Sequence, residues 1–455
     1  MSSLTISLEV ARSTLLNTQV QMGTVSQNIA NADNPAYARQ KALLATNPAL
    51  KTAAGYLGTG ARVDQIIQQR DQYVERSLMR SIASQSDYEA RATALATVGA
   101  QLLDDGDEGI SSALGTFWDA WEALSQNPSG LSERTAVTQA TTNLASVIRD
   151  ASSRLADTAA DLELEVRSEV GTVNGLLERI ASLNEAIRLS EGGGQSANDL
   201  RDLRYQALTN LAESLPISYQ EETNGTLTIT IEDASTEITL VSGHEYGELG
   251  YDTTEHQLTY TDYQSSTYGD FELSAGRLNG LMTVFRATGT ANDLAYVLDN
   301  PDAPDLTYAD RLNAFASMLI TEVNGAFGAD VFSGTDATDI ELDSGFALDP
   351  DLDADLALSV AALQENKFDE LGGSTFSGYL SSIQQQLGLD EQNAAAQGSF
   401  YESLRLQLEN QQQSVSGVSL DEELVDLLRL QQVYQAAAKI VQYTSAMMET
   451  IMEMV

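Results

Sequence analysis

The chain contains no cysteine and only four lysines, Lys41, Lys51, Lys367 and Lys439, among 455 residues. Without cysteine there is no disulfide, no thiolate metal site and no cysteine nucleophile. Only two histidines occur, His244 and His256. His244-Glu245 does not open a zinc-protease motif, because the residue four beyond His244 is Glu248. Each histidine reads as a surface residue in a β loop. No G-x-S-x-G elbow presents a serine as a nucleophile. No apolar run approaches the length of a membrane span, and no Lys or Arg precedes Arg12, so the start lacks the form of a secretory signal peptide. A soluble chain is expected, either cytoplasmic or exported by a route that does not use such a signal.

What the chain has in excess is acid: 66 Asp and Glu against 24 Lys and Arg, a formal charge of -42. Nucleic acid and anionic membrane are excluded as partners, since either would be repelled. A salty habitat would explain the acidity as well as any function would. Asp349, Asp351, Asp353 and Asp355 alternate like a calcium loop, yet the positions where an EF-hand needs Gly and Glu hold Ala354 and Val360. That stretch reads as a solvated acidic loop. No catalytic group, cofactor or metal site is implied, and the length calls for two or three domains.

The ends carry the strongest pattern. Leu4, Leu8, Ala11, Leu15, Thr18, Met22, Val25 and Ile29 recur at steps of three and four, as do Leu427, Leu430, Tyr434, Ala437, Val441, Thr444, Met448, Ile451 and Val455. Such spacing gives each helix one seam for a partner helix, so the two ends are expected to pair as an α-helical coiled coil. Ser419 and Glu422 form an S-x-x-E capping box at the start of the last helix. The first helix, expected from about Ser3 to Asn31, is poor in helix formers. Its many Ser, Thr and Asn residues cost about 0.5 kcal/mol each, roughly 5 kcal/mol in all. It therefore needs its partner to be stable, and the termini are expected to be mobile until assembly orders them.

Between the ends, helical periods are expected at 71–103, 131–190, 198–215, 276–290, 307–327 and 374–413, with a glycine-punctuated loop or hairpin at 55–60 and a loop at 104–109. Phe117, Trp118, Trp121 and Leu124 form an aromatic cluster of core character. Pro216 begins a period of two that runs to about Leu273, with Asn224-Gly225 as a hairpin turn. The fold class is thus mainly α, an elongated multi-domain chain with a small inserted β domain. Its expected divisions are a terminal coiled coil (1–60 and 415–455), a helical bundle (61–216 and 274–414) and the β insertion (217–273).

After the first helix comes NIANADNPAYARQ, residues 28–40, in which Pro35 ends the helix at Asn34. This string, with Asn28, Asn31, Asn34, Pro35, Tyr37, Arg39 and Gln40, resembles the N-terminal signature of bacterial flagellar axial proteins, and its ending resembles the hook-associated family of the hook-filament junction. QQQSVSGVSLDEE (411–423), followed by LQQVYQA (430–436), resembles that family's C-terminal signature, and LRDLRYQALTNLAE (200–213) resembles it at the matching place. Ala36 stands where the family commonly has Gly, which argues against a left-handed turn there.

The resemblance implies a structural subunit, not an enzyme, that joins hook to filament outside the cell. It implies export through the flagellar type III channel, a ring of identical copies, and contacts with the hook protein and with the adjacent junction protein on the filament side. It also implies an export chaperone on the last helix, with Leu427, Leu430, Tyr434 and Val441 the face it covers. A hook or rod subunit would share the first signature. A non-flagellar acidic hydrolase or adhesin, its terminal helices merely dimerising, is the third reading.

Overall fold

The structure, a computed structural model, describes residues 2–52, 55–102, 109–232, 237–264, 266–269, 272–289, 298 and 307–453. Residues 104–108 of the expected loop and Val455 of the C-terminal seam lie outside them. The chain opens with α1 (Ser2–Ala30), then a hairpin of β1 (Gln40–Thr46) with β4 (Ala61–Gln68), extended at its tip by β2 (Leu50–Thr52) and β3 (Gly55–Leu57). Only the tip of this hairpin was legible as a turn. Its strands hide in the sequence because both faces mix polar and apolar residues, and the register shifts between Leu43 and Leu44.

Next come α2 (Gln72–Leu102), α3 (Ile110–Gln126), the 61-residue α4 (Leu131–Glu191) and α5 (Asn198–Ser214). Val137, Leu144, Ile148, Leu155, Leu162, Val173, Leu177, Ile180 and Ile187 mark one buried stripe along α4. Phe117, Trp118 and Trp121 of α3 are fully enclosed, with Trp121 edge-on to Phe327 and Trp118 beside Phe376. The aromatic cluster is therefore core.

A four-stranded sheet, β5 (Ile217–Glu221), β6 (Leu227–Glu232), β7 (Glu237–Ser242) and β8 (Glu245–Tyr246), follows in simple meander order. A three-stranded sheet pairs β9 (Glu248–Asp252), β10 (Gln257–Thr261) and β11 (Thr267–Gly269). Ile217, Leu227, Ile229, Ile231, Leu240 and Leu258 belong to the same continuous apolar core as the helices. His244 is exposed in the β7–β8 turn. His256, with φ 51°, differs from a plain surface residue: its ring packs edge-on against Phe285 and lies 3.1 Å from the Tyr251 hydroxyl.

The chain returns to helix in α6 (Arg277–Gly289) and α7 (Tyr308–Phe327), passes a short pair, β12 (Phe332–Ser333) and β13 (Glu341–Leu342), and then α8 (Ala354–Ala362). Asp353 caps α8 by accepting from the Asp355 N–H, and Asp349 accepts from Asp351, so the alternating aspartates close turns. Among the described residues no group of three or more His, Asp or Glu could hold a metal. α9 (Phe376–Ser416) packs along α2. The last helix, α10 (Leu420–Glu453), packs along α1.

Candidate functional site at the joint of the terminal helices

The two terminal helices meet as an antiparallel pair. Asn28 donates to Glu423 (3.1 Å) near one end, and the Gln19 amide reaches the Tyr434 hydroxyl (3.4 Å) about three turns away. This register sets Val441 level with Ala11, Ala437 with Leu15 and Leu430 with Met22. Ala11, Thr18, Val25, Leu430, Ala437 and Thr444 are buried, and Leu4, Leu8, Leu15, Met22, Ile29, Leu427, Tyr434, Val441 and Met448 are half-buried. Ile451 departs from the expected seam: it is 39% exposed. The buried hydroxyls of Thr18 and Thr24 donate to carbonyls four residues back in α1, so they enter the seam without an unmet polar group.

The signature string folds into the joint where this pair leaves the bundle. Asn28, 1% exposed, uses all its amide capacity: it donates to the Gln40 carbonyl (3.0 Å) and to Glu423, and accepts from the Tyr37 hydroxyl (2.8 Å) and the Gln40 N–H (2.9 Å). Burial, then Asp202, Asp199 and Glu423, push the Tyr37 hydroxyl well above its ordinary value, which keeps it a donor. Asn34 accepts from the Ala36 N–H (3.2 Å) in an Asx turn, and the Asn31 side chain donates to the Gln27 carbonyl. Among the described residues other than glycine only His256 has a positive φ, so the turn at Ala36 closes without a left-handed residue. Pro35 is exposed.

Arg39 ties three segments. Its Nε donates to Glu423 (2.7 Å) and an Nη to Glu422 (3.1 Å), while its N–H donates to the Ser416 carbonyl (2.8 Å) and its carbonyl accepts from Gln69 (2.8 Å). The capping box is consequently only half made. Ser419 Oγ lies 3.5 Å from the Glu422 N–H, but the Glu422 carboxylate is turned to Arg39.

Three residues missed by the sequence reading complete the joint from the bundle side. Asp202 of α5 accepts from the Ala38 N–H (3.3 Å), Gln68 (2.7 Å) and Arg70 (2.6 Å). Arg70 also donates to Glu75 (2.8 Å) and to the Ala36 carbonyl (3.3 Å), and lies 4.2 Å over the Tyr205 ring. Burial and the Glu75 charge raise the Tyr205 hydroxyl to about 12, and it accepts from Gln412 of α9 (2.6 Å). Burial raises the Asp202 carboxyl despite Arg70. The available signals were LRDLRY, which holds Asp202 and Tyr205, and an arginine at 70 in a base-poor chain. Such a network of charged hydrogen bonds fixes an angle; it has the character of a mechanical joint.

Outside the seam of α10, Leu424, Val425 and Leu428 make one exposed apolar cluster and Ile440, Tyr443 and Met447 another about three turns further on, and such clusters mark association surfaces.

Residues 410–454 match the model described as flagellar basal body rod FlgEFG protein C-terminal, and residues 99–332 match that of the flagellar hook-associated protein FlgK helical domain. The chain is 25% identical over 501 residues to flagellar hook-associated protein 1 of Bacillus subtilis, covering 99% of this chain and 98% of that protein. It is 24% identical over 547 residues to flagellar hook-associated protein 1 of Salmonella typhimurium, covering 97% and 98%. The flagellar hook junction protein FlgK of Burkholderia pseudomallei aligns at a TM-score of 0.46 and 18% identity over 57% of this chain and 46% of that one. Paired terminal helices on a helical body and these two matches define a flagellar axial protein. More narrowly, with the helical-domain match spanning just over half of its length, the chain belongs to the flagellar hook-associated protein FlgK family.

Proposed function

We propose that this chain is a structural subunit of the hook-filament junction, forming a short ring of identical copies between the hook protein and the adjacent junction protein on the filament side. The observation that carries the reading is the pair α1 and α10, which closes one apolar seam within the chain and leaves two apolar clusters on α10 open. In this reading 1–60 and 415–455 form the terminal unit that polymerises, 61–216 and 274–414 form the helical body, and 217–273 form the inserted β part. Subunits leave the cell largely unfolded by type III export, with a chaperone on Leu427, Leu430, Tyr434 and Val441. Those residues are sheltered once α1 has docked, so chaperone and α1 would exclude one another. Among the described residues no helix is long and apolar enough to cross a membrane.

The match of 410–454 to a rod-protein model keeps a rod or hook subunit as the second reading. Electron microscopy of cells lacking the gene, with a blot of the medium for filament protein, separates the two. Hooks without filaments, and filament protein lost to the medium, are expected at a junction. Absence of hooks would move the chain to the rod or hook, and normal filaments would end both readings.

A further inference from the structure

The terminal unit has three layers, with α1 in the middle. Its seam faces α10, whereas Asn17 donates to the Ala61 carbonyl (2.7 Å) and accepts from the Val63 N–H (3.0 Å) of β4. Gly60, at φ +90°, comes so close to α1 that a Cβ there would lie 2.9 Å from Ser13 Oγ. At about 100° per residue, Ser13 and Asn17 lie nearly opposite the seam. Around Gly60 to Val63 the hairpin and α10 therefore lie on opposite sides of α1.

Both outer sides are apolar, and they differ in sign. The hairpin exposes Leu44, Leu50, Tyr56 and Leu57. From Gln40 to Gln68 it carries Lys41, Lys51 and Arg62 against Asp64 alone, in a chain of net charge -42. Among the described residues no carboxylate lies within the 4.0 Å of an ion pair from Lys41 or Lys51. The first turns of α10 expose Leu424, Val425 and Leu428 together with the Asp421 carboxylate, while Glu422 and the buried Glu423 are held by Arg39 and Asp426 by Arg429. Lys41 and Ala42, at the base of the hairpin, share a cleft with Glu423, Asp426 and Leu430 of their own chain, whereas Leu44, Leu50, Tyr56, Leu57 and Lys51 stay exposed.

We propose that the hairpin of one copy docks on the Leu420–Leu430 face of α10 of a second copy. This rests on the assembly reading above and deepens it. Apolar side chains supply the buried area, and opposite charge sets the pairing, since hairpin on hairpin or α10 on α10 would bring like charges together. A contact between two different patches is heterologous, so it continues from copy to copy and generates a ring or a helical row.

Absence of native cysteine makes the test direct. Leu44→Cys and Val425→Cys are placed singly and together in the full chain, in cells lacking the native gene, and assembled flagella are oxidised and run without reductant. The double variant should give a ladder of dimers, trimers and larger species, co-assembled single variants should give dimers only, and each single variant alone should stay monomeric. Normal flagella whose double variant stays monomeric, or full dimerisation of Val425→Cys alone, would overturn the contact. Lys51→Glu should lower the crosslink yield about 3-fold, and adding Asp421→Lys should restore it; an unchanged yield overturns the contact as well. Val441→Asp probes the assembly reading separately. If it leaves filaments normal, that reading fails. If it blocks them while the charge variants change nothing, only the hairpin contact fails.

Discussion

At the scale of single residues, asparagine does the joining. Asn174 and Asn184 of α4 and Asn324 of α7 each use one amide as donor and acceptor toward strand or loop backbone, at Leu249, Leu227 and Phe332. Asn17 and Asn28 do the same for the hairpin. A side-chain amide has the donor and acceptor of a peptide group, so it extends a ladder from a helix. Sequence reading sees asparagine only as a turn signal or a weak helix former, which is why Asn17 counted against α1 and Asn184 went unnoticed. Asn28→Leu should cost about 3 kcal/mol, because the Tyr37 hydroxyl, the Gln40 N–H and the Glu423 carboxylate each lose a buried partner. Tyr37→Phe should cost about 1 kcal/mol. Urea unfolding of both singles and the double should show less than additive loss; additivity would mean that the two groups do not share a network.

Ionisation at one residue also predicts a pH dependence. Glu191 accepts from Arg201 Nε (2.7 Å), Arg201 Nη2 (2.9 Å) and the Ala197 N–H (2.9 Å). Burial works against the charge, but these bonds win and hold the carboxyl below its ordinary 4.5. A carboxyl depressed by folding stabilises above its unfolded pKa, and that contribution is lost as pH falls through the folded value. Glu191→Gln should therefore be less stable than the parent by about 1 kcal/mol at pH 7, with the gap closing below pH ~4.5. Thermal melts across that range would show it, and a gap independent of pH would assign the effect to packing.

At the scale of elements, the two terminal helices were legible to within a residue or two because steps of three and four leave one consistent face. Val441 is half-buried in the seam and Tyr443, two residues on, is 68% exposed. Val441→Asp places a charge against Ala11 and should destabilise the α1–α10 pair by roughly 2–3 kcal/mol. Tyr443→Asp should leave the monomer within about 0.5 kcal/mol. Hydrogen exchange of α1 amides is the measurement: protection should fall only in the first variant, while α4 keeps its protection in both. Because α1 has poor intrinsic propensity, it should also exchange faster than α4 in the parent, as a helix held by its partner does. The β1–β4 hairpin was not legible for a related reason. Its strands alternate against α1 rather than against a sheet core, so their apolar side is narrow and interrupted by the shift at Leu43 and Leu44.

At the scale of the whole molecule, charge decides. A body with a net -42 repels itself, and all four lysines are too few to offset the field locally. Close pairs such as Arg70 with Asp202 at 2.6 Å are sheltered and little screened, whereas repulsion among exposed carboxylates acts over distances that salt cuts from about 10 Å at 0.1 M to about 3 Å at 1 M. Added salt should thus relieve more repulsion than attraction, and the melting temperature should rise between 0.05 M and about 1 M NaCl, by several degrees. Sodium sulfate would strengthen apolar burial at the same time, so NaCl is the cleaner probe. A fall in melting temperature over that range would mean that exposed ion pairs such as Arg188 with Glu185 outweigh the long-range field. It would also remove the physical ground for reading the acidity as an adaptation to salt, since a chain built for high ionic strength should be least stable where its own charges are least screened.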